Sequence, residues 1–378
     1  MTVIIKFIKL IINIIFSFFK LFKVKDKVTI ASRQSDEEYL DLKMLREEIE
    51  RISPQTEVVV LCKKIEGSPA HKLMYGFHLI RQMYHIATSK AVVVDSYCIG
   101  VSIPKQRPEL RVIQIWHALG AFKKFGLSIV TEGEGEGRST KVAGLMNMHK
   151  NYTYVLMSGS ACREPYKEAF GYGDESMIIG SLPRVDLILS NEFKEKTLAK
   201  IREKYPHIGT DGRKVIVYAP TFRKNEDISE YIRSLARAFD PEKYIFVAKL
   251  HPLMEFSGDT EGILLDRDFS TLEMLYASDY VIGDYSAIVF EAALLDKPLF
   301  FYAFDIDTYE GARDFYLDYR KDMPGLIAKE PQEIAEAVEN GDYDLERIRN
   351  FADRYVEYKE NCTNRLAKIV LGMQDISH

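Results

Sequence analysis

VIGDYSAIVFEAALLDKPLFFY, residues 281–302, contains a short apolar run, a break at 283–286, a run that suits a helix, and a second short apolar run. A buried strand, a turn, a helix and another buried strand follow one another in this way in parallel sheets, because the crossover helix covers one face of the sheet. Ser286 is a good N-cap residue for the helix that follows it. The stretch therefore predicts part of a doubly wound α/β domain, with an anion-binding helix terminus at the break.

Short apolar runs alternate with helical segments along the chain after residue 27, which is typical of parallel sheets covered on both faces. The predicted strands are Glu57–Cys62, Ala91–Tyr97, Arg111–His117, Tyr152–Gly159, Ser176–Gly180, Lys214–Phe222, Tyr244–Pro252, Gly262–Asp266, Tyr280–Ser286 and Pro298–Ala303. Helices are predicted at Asp36–Ile52, His71–Thr88, Asn191–Tyr205 and, roughly, Pro331–Leu371. We therefore predict two Rossmann-like domains, 28–190 and 191–345, preceded by an amphipathic helix (1–27) and followed by further helices (346–378).

The composition sets broad limits on function. The 378 residues are too many for one ordinary core and suit two domains of about 150 residues each. The net charge of −5 gives no basis for nucleic-acid binding. The four cysteines are scattered without a CxxC pair, which indicates a reduced compartment and neither a zinc site nor a disulfide framework. The sequence has no dinucleotide fingerprint after its first strand and no P-loop motif, and we expect no cofactor and no metal.

The first 27 residues carry six lysines and one aspartate among isoleucine, leucine and phenylalanine. The uncharged interior run Leu10–Phe19 is about half of the ~20 residues that a membrane span needs. We therefore predict a helix that lies in the membrane interface, with its lysines on anionic headgroups; the alternative is a helix that covers the protein's own core. The polar residues recur every three or four positions, on one helical face: Lys6, Lys9, Asn13, Ser17, Lys20, Lys23 and Lys27.

Ligands of open α/β sheets bind beyond the carboxyl ends of the strands. In the first half, Trp116 and His117 end a strand, and Lys123 and Lys124 follow in a turn that contains glycines. Histidine titrates near neutral pH, which suits a general base, although a histidine at a strand end can be purely structural. The lysines would attract an anionic acceptor or lipid headgroups. The glycine–glutamate run Thr131–Thr140 is predicted to be a mobile loop in a position that suits a lid.

The second half offers a group of residues that suits a phosphate. Arg223 and His251 follow neighbouring strands, and Ser286 precedes the helix of the opening stretch. The amides of Ala287 and its successors would point outward at the positive end of that helix, where the Ser286 hydroxyl could also contact a phosphate oxygen. The alternative is that Ser286 only caps its own helix. Glu291 could reach a ribose hydroxyl or be a solvated side chain.

Five motifs occur in an order that is typical of one family. They are IQIWHALGAFKKFG (113–126), GSLPRVDLI (180–188), VIVYAPTFR (215–223), KLHP (249–252) and VIGDYSAIVFEAALLDKPLFFYAFDIDTYEGARDFYLDY (281–319). In these motifs the chain resembles the CDP-glycerol glycerophosphotransferase family, the teichoic-acid primases and polymerases of Gram-positive bacteria, which include ribitol-phosphate transferases. The resemblance covers roughly residues 89–319.

The resemblance implies a GT-B-like fold, with two Rossmann-type domains facing a cleft, in a peripheral enzyme at the cytoplasmic face of the cell membrane. The first domain would bind an undecaprenyl-linked polyol-phosphate acceptor and the second a CDP-linked polyol donor, and CMP would be released. The important histidines of the family fall on His117, as general base, and on His251. The resemblance places donor-phosphate contacts on Arg223, Ser286 and the amides after it. With the residue patterns above, the predicted donor-binding residues are Thr221, Arg223, Asp284, Ser286, Ala287 and Glu291, and the predicted acceptor-binding residues are Trp116, Lys123, Lys124 and Asp186. Asp186 could equally only stabilise a turn.

The chain departs from the family pattern in two motifs. Many members have Trp-His-Gly-Thr-Pro at the first histidine, where this chain has Trp-His-Ala-Leu-Gly at 116–120. That form is similar to the polymerase or ribitol-type branch, so the polyol is left open. The common Asp-Tyr-Ser-Ser is Asp-Tyr-Ser-Ala at 284–287. Two rival interpretations stay open: a GT-B enzyme that acts on a nucleotide sugar, and a non-catalytic membrane-surface protein that binds a polymer.

Overall fold

The computed structural model describes residues 2–65, 68–130, 139–223, 226–312 and 315–374, with only the backbone described at 310–312. Most of the predicted glycine–glutamate loop, residues 131–138, lies outside these ranges. The chain forms two compact units. The first comprises residues 1–119, 124–186 and 357–378, and the second comprises 120–123 and 187–356. The segment predicted at 346–378 is thus divided between the two units.

The first unit is built on a six-stranded, all-parallel sheet with the order β2-β1-β3-β4-β5-β6. At its centre, the strand Ala91–Val94 is a continuous apolar run that is buried on both faces, and the last three residues of the strand Arg111–Gln114 are buried too, as a sheet covered by helices requires. The order reverses at β1, which lies between β2 and β3, so the loops after β1 and β3 flank a crevice of the kind that binds ligands. The strands are β1 (Lys27–Ser32), β2 (Glu57–Cys62), β3 (Ala91–Val94), β4 (Arg111–Gln114), β5 (Tyr154–Met157) and β6 (Met177–Ile179).

The described helices up to residue 188 are α1 (Thr2–Phe19), α2 (Leu40–Ile52), α3 (Pro69–Ala87), α4 (Ile99–Ser102), α5 (Thr140–Leu145), α6 (Arg163–Phe170) and α7 (Arg184–Ile188). Three 3-10 turns occur at Gly126–Ile129, Ser160–Cys162 and Asp174–Ser176. Proline begins α3, where the missing amide hydrogen costs nothing, and the Ser68 side chain accepts a hydrogen bond from the third residue of that helix.

The second unit also contains a six-stranded parallel sheet, in the order β12-β11-β10-β7-β8-β9. Here the order reverses between β7 and β10, which places the loops after these two strands side by side. The strands are β7 (Lys214–Tyr218), β8 (Tyr244–Ala248), β9 (Ile263–Leu265), β10 (Tyr280–Gly283), β11 (Leu299–Tyr302) and β12 (Leu326–Ala328). The two parallel sheets confirm the predicted α/β class.

Helices cover the sheet of the second unit, and two of them follow its last strand. The helices of this unit are α8 (Asn191–Lys204), α9 (Ser229–Arg237), α10 (Thr271–Ala277), α11 (Ile288–Leu294), α12 (Ile306–Ala312), α13 (Tyr319–Asp322), α14 (Pro331–Asn340) and α15 (Leu345–Tyr355). The last helix, α16 (Cys362–Leu371), belongs to the first unit.

Helix α1 does not present its lysines as the sequence predicts. Lys9 Nζ donates to the carbonyl of Leu145 at 2.6 Å, and Lys20 Nζ donates to the carbonyl of Lys105 at 3.1 Å. The helix ends at Phe19, so the residues after it in the predicted polar stripe are not part of it, and Lys27 is instead the buried first residue of β1. Lys9 and Asn13 of the predicted polar stripe therefore contact the protein, whereas Lys6 and Ser17 are exposed. By length and composition alone, α1 is apolar enough to cross a membrane.

The apolar face of α1 is the exposed one. Phe19 and Phe22 pack edge-on against Tyr84 of α3, with ring centroids 5.6 and 5.7 Å apart, so α1 and α3 are neighbours. Together they present an exposed apolar surface, which we call the α1–α3 surface: Val3, Ile4, Phe7, Ile8, Leu10, Ile11, Ile14, Phe18, Leu73, Met74, Phe77 and Ile80.

Candidate active site

Asp284 organises the switch point of the second sheet. It follows β10, next to the loop after β7, and it is fully buried. Its carboxylate accepts hydrogen bonds from the Thr221 backbone amide at 2.9 Å and from Thr221 Oγ1 at 2.7 Å. The two residues therefore join neighbouring strand ends. Both residues were predicted to bind the donor, and in this structure their polar groups form hydrogen bonds with each other.

Arg223 completes this cluster. Its Nη1 donates to Asp284 at 2.8 Å, and its Nε and Nη2 donate to the two oxygens of Asp305 at 2.8 and 3.0 Å. Burial by itself lowers the pKa of Arg223, but the carboxylates of Asp305 and Asp284 outweigh it and raise the pKa above its usual value. The side chain is only 4% exposed. In this structure the guanidinium of Arg223 is buried and bridges two carboxylates, and its contact with a donor phosphate stays a prediction.

Aromatic rings enclose this ion cluster. Tyr285 stacks on Tyr309 with ring centroids 3.8 Å apart, and the guanidinium carbon of Arg223 lies 5.6 and 5.5 Å from these rings. Tyr285 OH donates to Asp305 at 2.9 Å. Asp305 and both tyrosines were not predicted as site residues, although all three lie inside the last of the five motifs.

The turn before α11 differs from the prediction. The helix begins at Ile288, and Ala287, not Ser286, is its N-cap residue. Ser286 Oγ accepts only a long hydrogen bond, 3.4 Å, from the amide of Ile288. Glu291 is 8% exposed, so it is not a solvated side chain. Ser286 and Ala287 are half-buried, which leaves them accessible for a ligand.

His251 lies on an exposed turn after β8. Its Nδ1 accepts a hydrogen bond from the amide of Leu253 at 3.2 Å, and its ring lies 5.0 Å from that of Phe222. Because Nδ1 is an acceptor, the hydrogen of the neutral ring is on Nε2. His251 can therefore donate a hydrogen bond from Nε2 to an anion.

His117 in the first unit has the opposite arrangement. Its Nδ1 lies 3.0 Å from the carbonyl oxygen of Asp95, which can only accept, so Nδ1 carries the hydrogen. Gln34 Nε2 lies 3.2 Å from the same nitrogen. Burial lowers the pKa of His117, against a raising effect of the Asp95 carbonyl and carboxylate. The neutral ring thus presents an unprotonated Nε2, the form that a general base needs.

A buried ion pair holds the backbone of His117. Arg184 donates from its amide to Asp41 Oδ1 and from its Nε to Asp41 Oδ2, both at 2.8 Å, and from Nη2 to the His117 carbonyl at 3.2 Å. Asp41 is fully buried. This ion pair stabilises the position of the loop after β4. Arg184 lies in one of the five motifs, but neither Arg184 nor Asp41 was predicted as a site residue.

Trp116 has a strained backbone next to His117. Its φ is +54°, in a region that bulky residues rarely adopt and that costs about 1–3 kcal/mol. Its ring stacks on Phe125 at 4.3 Å between centroids and lies 4.1 Å from the His117 ring. Its amide donates to Gln114 Oε1 at 2.9 Å. The stacking and the hydrogen bond offset the strain and orient the loop that carries His117.

The other predicted acceptor residues have different surroundings. Lys123 belongs to the second unit, where its Nζ lies 5.4 Å from the centre of the Tyr309 ring. Lys124 is half-buried in the first unit. Asp186 accepts hydrogen bonds from the amides of Cys362 and Thr363 at 2.9 and 2.8 Å, at the start of α16. Asp186 therefore stabilises the start of α16, and its contact with the acceptor stays a prediction.

The described residues contain no group of three or more histidine, cysteine, aspartate or glutamate side chains that could hold a metal ion.

Comparison with known proteins gives consistent matches. Residues 14–372 match the family described as CDP-Glycerol:Poly(glycerophosphate) glycerophosphotransferase. A teichoic acid ribitol-phosphate primase of Bacillus spizizenii is 30% identical over 89% of this chain and 88% of its own. A teichoic acid poly(ribitol-phosphate) polymerase of the same organism is 33% identical over 74% of this chain and 46% of its own. The solved structure of the wall teichoic acid polymerase TagF superposes with a TM-score of 0.73 at 20% identity, covering 96% of this chain and 93% of the other, and shows the same fold.

Proposed function

The chain belongs to the CDP-glycerol:poly(glycerophosphate) glycerophosphotransferase family, and we propose that it transfers a polyol phosphate from a CDP-linked donor to a hydroxyl of a lipid-linked teichoic acid acceptor, releasing CMP. The enzyme is a CDP-polyol phosphotransferase. The observation that carries the proposed mechanism is the pair of histidines held in opposite tautomers, with Nε2 of His117 as acceptor and Nε2 of His251 as donor. Phosphoryl transfer needs an acceptor for the proton of the nucleophile and a donor that stabilises negative charge on the phosphate.

In the proposed reaction, the acceptor hydroxyl attacks the phosphorus that carries the polyol, and Nε2 of His117 takes the hydroxyl proton. A new phosphorus–oxygen bond to the acceptor forms as the bond to the phosphate of CMP breaks, and CMP leaves with the bonding electrons. Such general-base help is worth roughly 10²–10⁴-fold in rate. His251 donates from Nε2 to the donor pyrophosphate, where negative charge develops.

We assign donor binding to the loop that the buried ion cluster supports. Ser286 and Ala287 are the accessible members of that loop and would contact the pyrophosphate. Arg223 and Asp284 act on the donor indirectly, because their buried bridge determines the path of the loops after β7 and β10. Glu291 remains a candidate for the ribose and Lys124 for the acceptor.

The favoured donor is CDP-ribitol. The two relatives compared above are both ribitol-phosphate enzymes, and the primase matches along nearly its whole length. CDP-glycerol is the alternative, since the family as a whole is described by glycerol phosphate.

The acceptor and the location are proposed together. An undecaprenyl-linked acceptor is confined to a membrane, and the α1–α3 surface would place the enzyme there. Phe7, Ile14 and Phe77 on this surface are each more than 60% exposed. Lys23 and Lys25 just after α1 are exposed and would contact anionic headgroups. We therefore propose peripheral binding to the cytoplasmic face of the cell membrane through apolar insertion, with Lys6 of α1 joining these two lysines at the headgroups.

The test is CMP release by the purified protein, with CDP-ribitol and CDP-glycerol offered separately, each with a lipid-linked glycerol-phosphate-primed acceptor. Release with CDP-ribitol, and loss of release in His117→Ala with donor binding retained, is the expected result. Release with CDP-glycerol alone would overturn the choice of donor. Release with neither donor, together with consumption of a nucleotide sugar, would overturn the proposed function.

A further inference from the structure

Arg33, at the switch point of the first sheet, forms no ion pair with a carboxylate of the described residues. It follows β1 directly, and its guanidinium carbon lies 5.2 Å from the centre of the Tyr97 ring. Its Nε is buried and has no hydrogen-bond partner among the described residues. Arginine in a protein interior normally pairs with a carboxylate, as Arg223 and Arg184 do here. An arginine that is partly buried and lacks such a partner is suited to an external anion.

Two further orphaned polar atoms lie on α3. The hydroxyl of Tyr75 and Nε2 of His78 are buried without hydrogen-bond partners in the described part of the chain, and their rings lie 5.8 Å apart. Tyr75 is 5% exposed. Burial raises the pKa of Tyr75 and the charge of Arg33 opposes this, so the arginine and the phenol act on one another electrostatically. Each orphaned buried group destabilises the fold unless a ligand satisfies it.

These three side chains belong to the same region as the proposed base. Gln34, the residue after Arg33, is the one whose amide lies 3.2 Å from His117. Tyr97, under the Arg33 guanidinium, is two residues after Asp95, whose carbonyl accepts from His117. The Ser32 hydroxyl donates to Asp95 at 2.5 Å, which ties the ends of β1 and β3 together. An anion on Arg33 would therefore bind within the crevice that His117 also borders.

We propose that Arg33, with Tyr75 and His78, forms a phosphate subsite that holds a phosphate of the acceptor while its hydroxyl is presented to His117. The planar guanidinium suits bidentate phosphate recognition, and Tyr75 and His78 add two donors. The proposal rests on the proposed function for the identity of the acceptor. The position beside α3 is consistent with that acceptor, because the α1–α3 surface would hold its lipid in the membrane.

The test separates phosphate binding from catalysis. The probe is sn-glycerol 3-phosphate, titrated calorimetrically into the full-length protein without donor. We expect Arg33→Met to weaken binding about ten- to a hundredfold, Tyr75→Phe to weaken it less, and Arg33→Lys to retain more than Arg33→Met. Arg51→Met is the matched control, because it removes an arginine of α2 whose side chain is 66% exposed, and it should leave binding unchanged. Equal binding by wild type, Arg33→Met and Arg51→Met, or no binding by wild type, would overturn the subsite.

Kinetics and vesicles identify the source of the phosphate. With soluble glycerol-phosphate oligomers as acceptor, Arg33→Met should raise the acceptor KM about as much as it weakens binding of the probe, and leave the donor KM unchanged. Binding to phosphatidylglycerol vesicles should also be unchanged. Loss of vesicle binding with an unchanged acceptor KM would show that the site takes a lipid headgroup and overturn the assignment to the acceptor. If no donor yields CMP, the proposed function fails, whereas the titration still decides whether the phosphate subsite exists.

Discussion

Arg223 could bind the donor directly, or it could support the loops that bind the donor. Its buried bridge to two carboxylates favours the second role. The informative change is Arg223→Met, which keeps the volume of the side chain and removes its charge. The side chains of Arg223 and Asp284 are 4% and 0% exposed, and that of Asp305 is 17% exposed, so solvent cannot replace the lost contacts. Asp284 would retain the two hydrogen bonds from Thr221 but no countercharge.

Removing one partner of a buried ion pair costs about 3–5 kcal/mol, because the remaining charge stays buried. We expect this loss in the free energy of unfolding of Arg223→Met, measured by urea denaturation. Adding Asp284→Asn should restore part of it, since the orphaned charge is then removed as well. Arg320→Met is the control: Arg320 pairs with Asp307 at 2.9 Å, but the two side chains are 53% and 68% exposed, so a loss below about 1 kcal/mol is expected.

Donor kinetics complete the comparison. If Arg223 supports the loops, Arg223→Met should lower stability and should affect the donor KM only by displacing the Ser286 loop. The double variant with Asp284→Asn should then recover stability and donor KM together. A stability loss below about 1 kcal/mol combined with a large rise in the donor KM would refute this reasoning. It would show that the guanidinium leaves its carboxylates to contact the pyrophosphate.

Four further predictions follow, two on the base, one on the loop after it and one on the membrane surface. His117→Ala should lower kcat about 10²–10⁴-fold with little change in donor binding, and retention of more than a tenth of the activity would rule out the base role. Because burial lowers the pKa of His117 and the base must be neutral, kcat/KM of the wild type should fall on acidification with a midpoint below the usual histidine value of about 6.5. Gly120→Ala should cost at least about 1 kcal/mol in unfolding free energy, because φ is +66° and an added Cβ would lie 2.3 Å from the Phe290 ring; unchanged urea denaturation would contradict this. Phe7→Glu with Ile14→Glu should weaken binding to anionic vesicles while sparing turnover on soluble acceptors, and undiminished vesicle binding would contradict the α1–α3 surface as the membrane contact.

The sequence by itself determined the α/β class and the positions of ten of the twelve strands. Those strands are short apolar runs, a local pattern that is readable without knowing their neighbours. The two missed strands lack that pattern: β1 alternates Lys27, Thr29 and Ser32 with apolar residues, and β12 has only three residues. The sequence also placed His117 and His251 at strand ends, and its motifs indicated the family to which the chain belongs.

Tertiary structure alone decided what the charged residues do. Arg223 pairs with Asp305 across 82 positions and Arg184 with Asp41 across 143 positions, and no local pattern encodes such distances. Arg223 was therefore predicted as a phosphate ligand, although the folded chain had already given it two carboxylates. Arg33 is the opposite case, and it was not among the predicted site residues. Whether a charge is available to a ligand depends on which partners the fold brings to it, and in the described structure Arg33 receives no carboxylate.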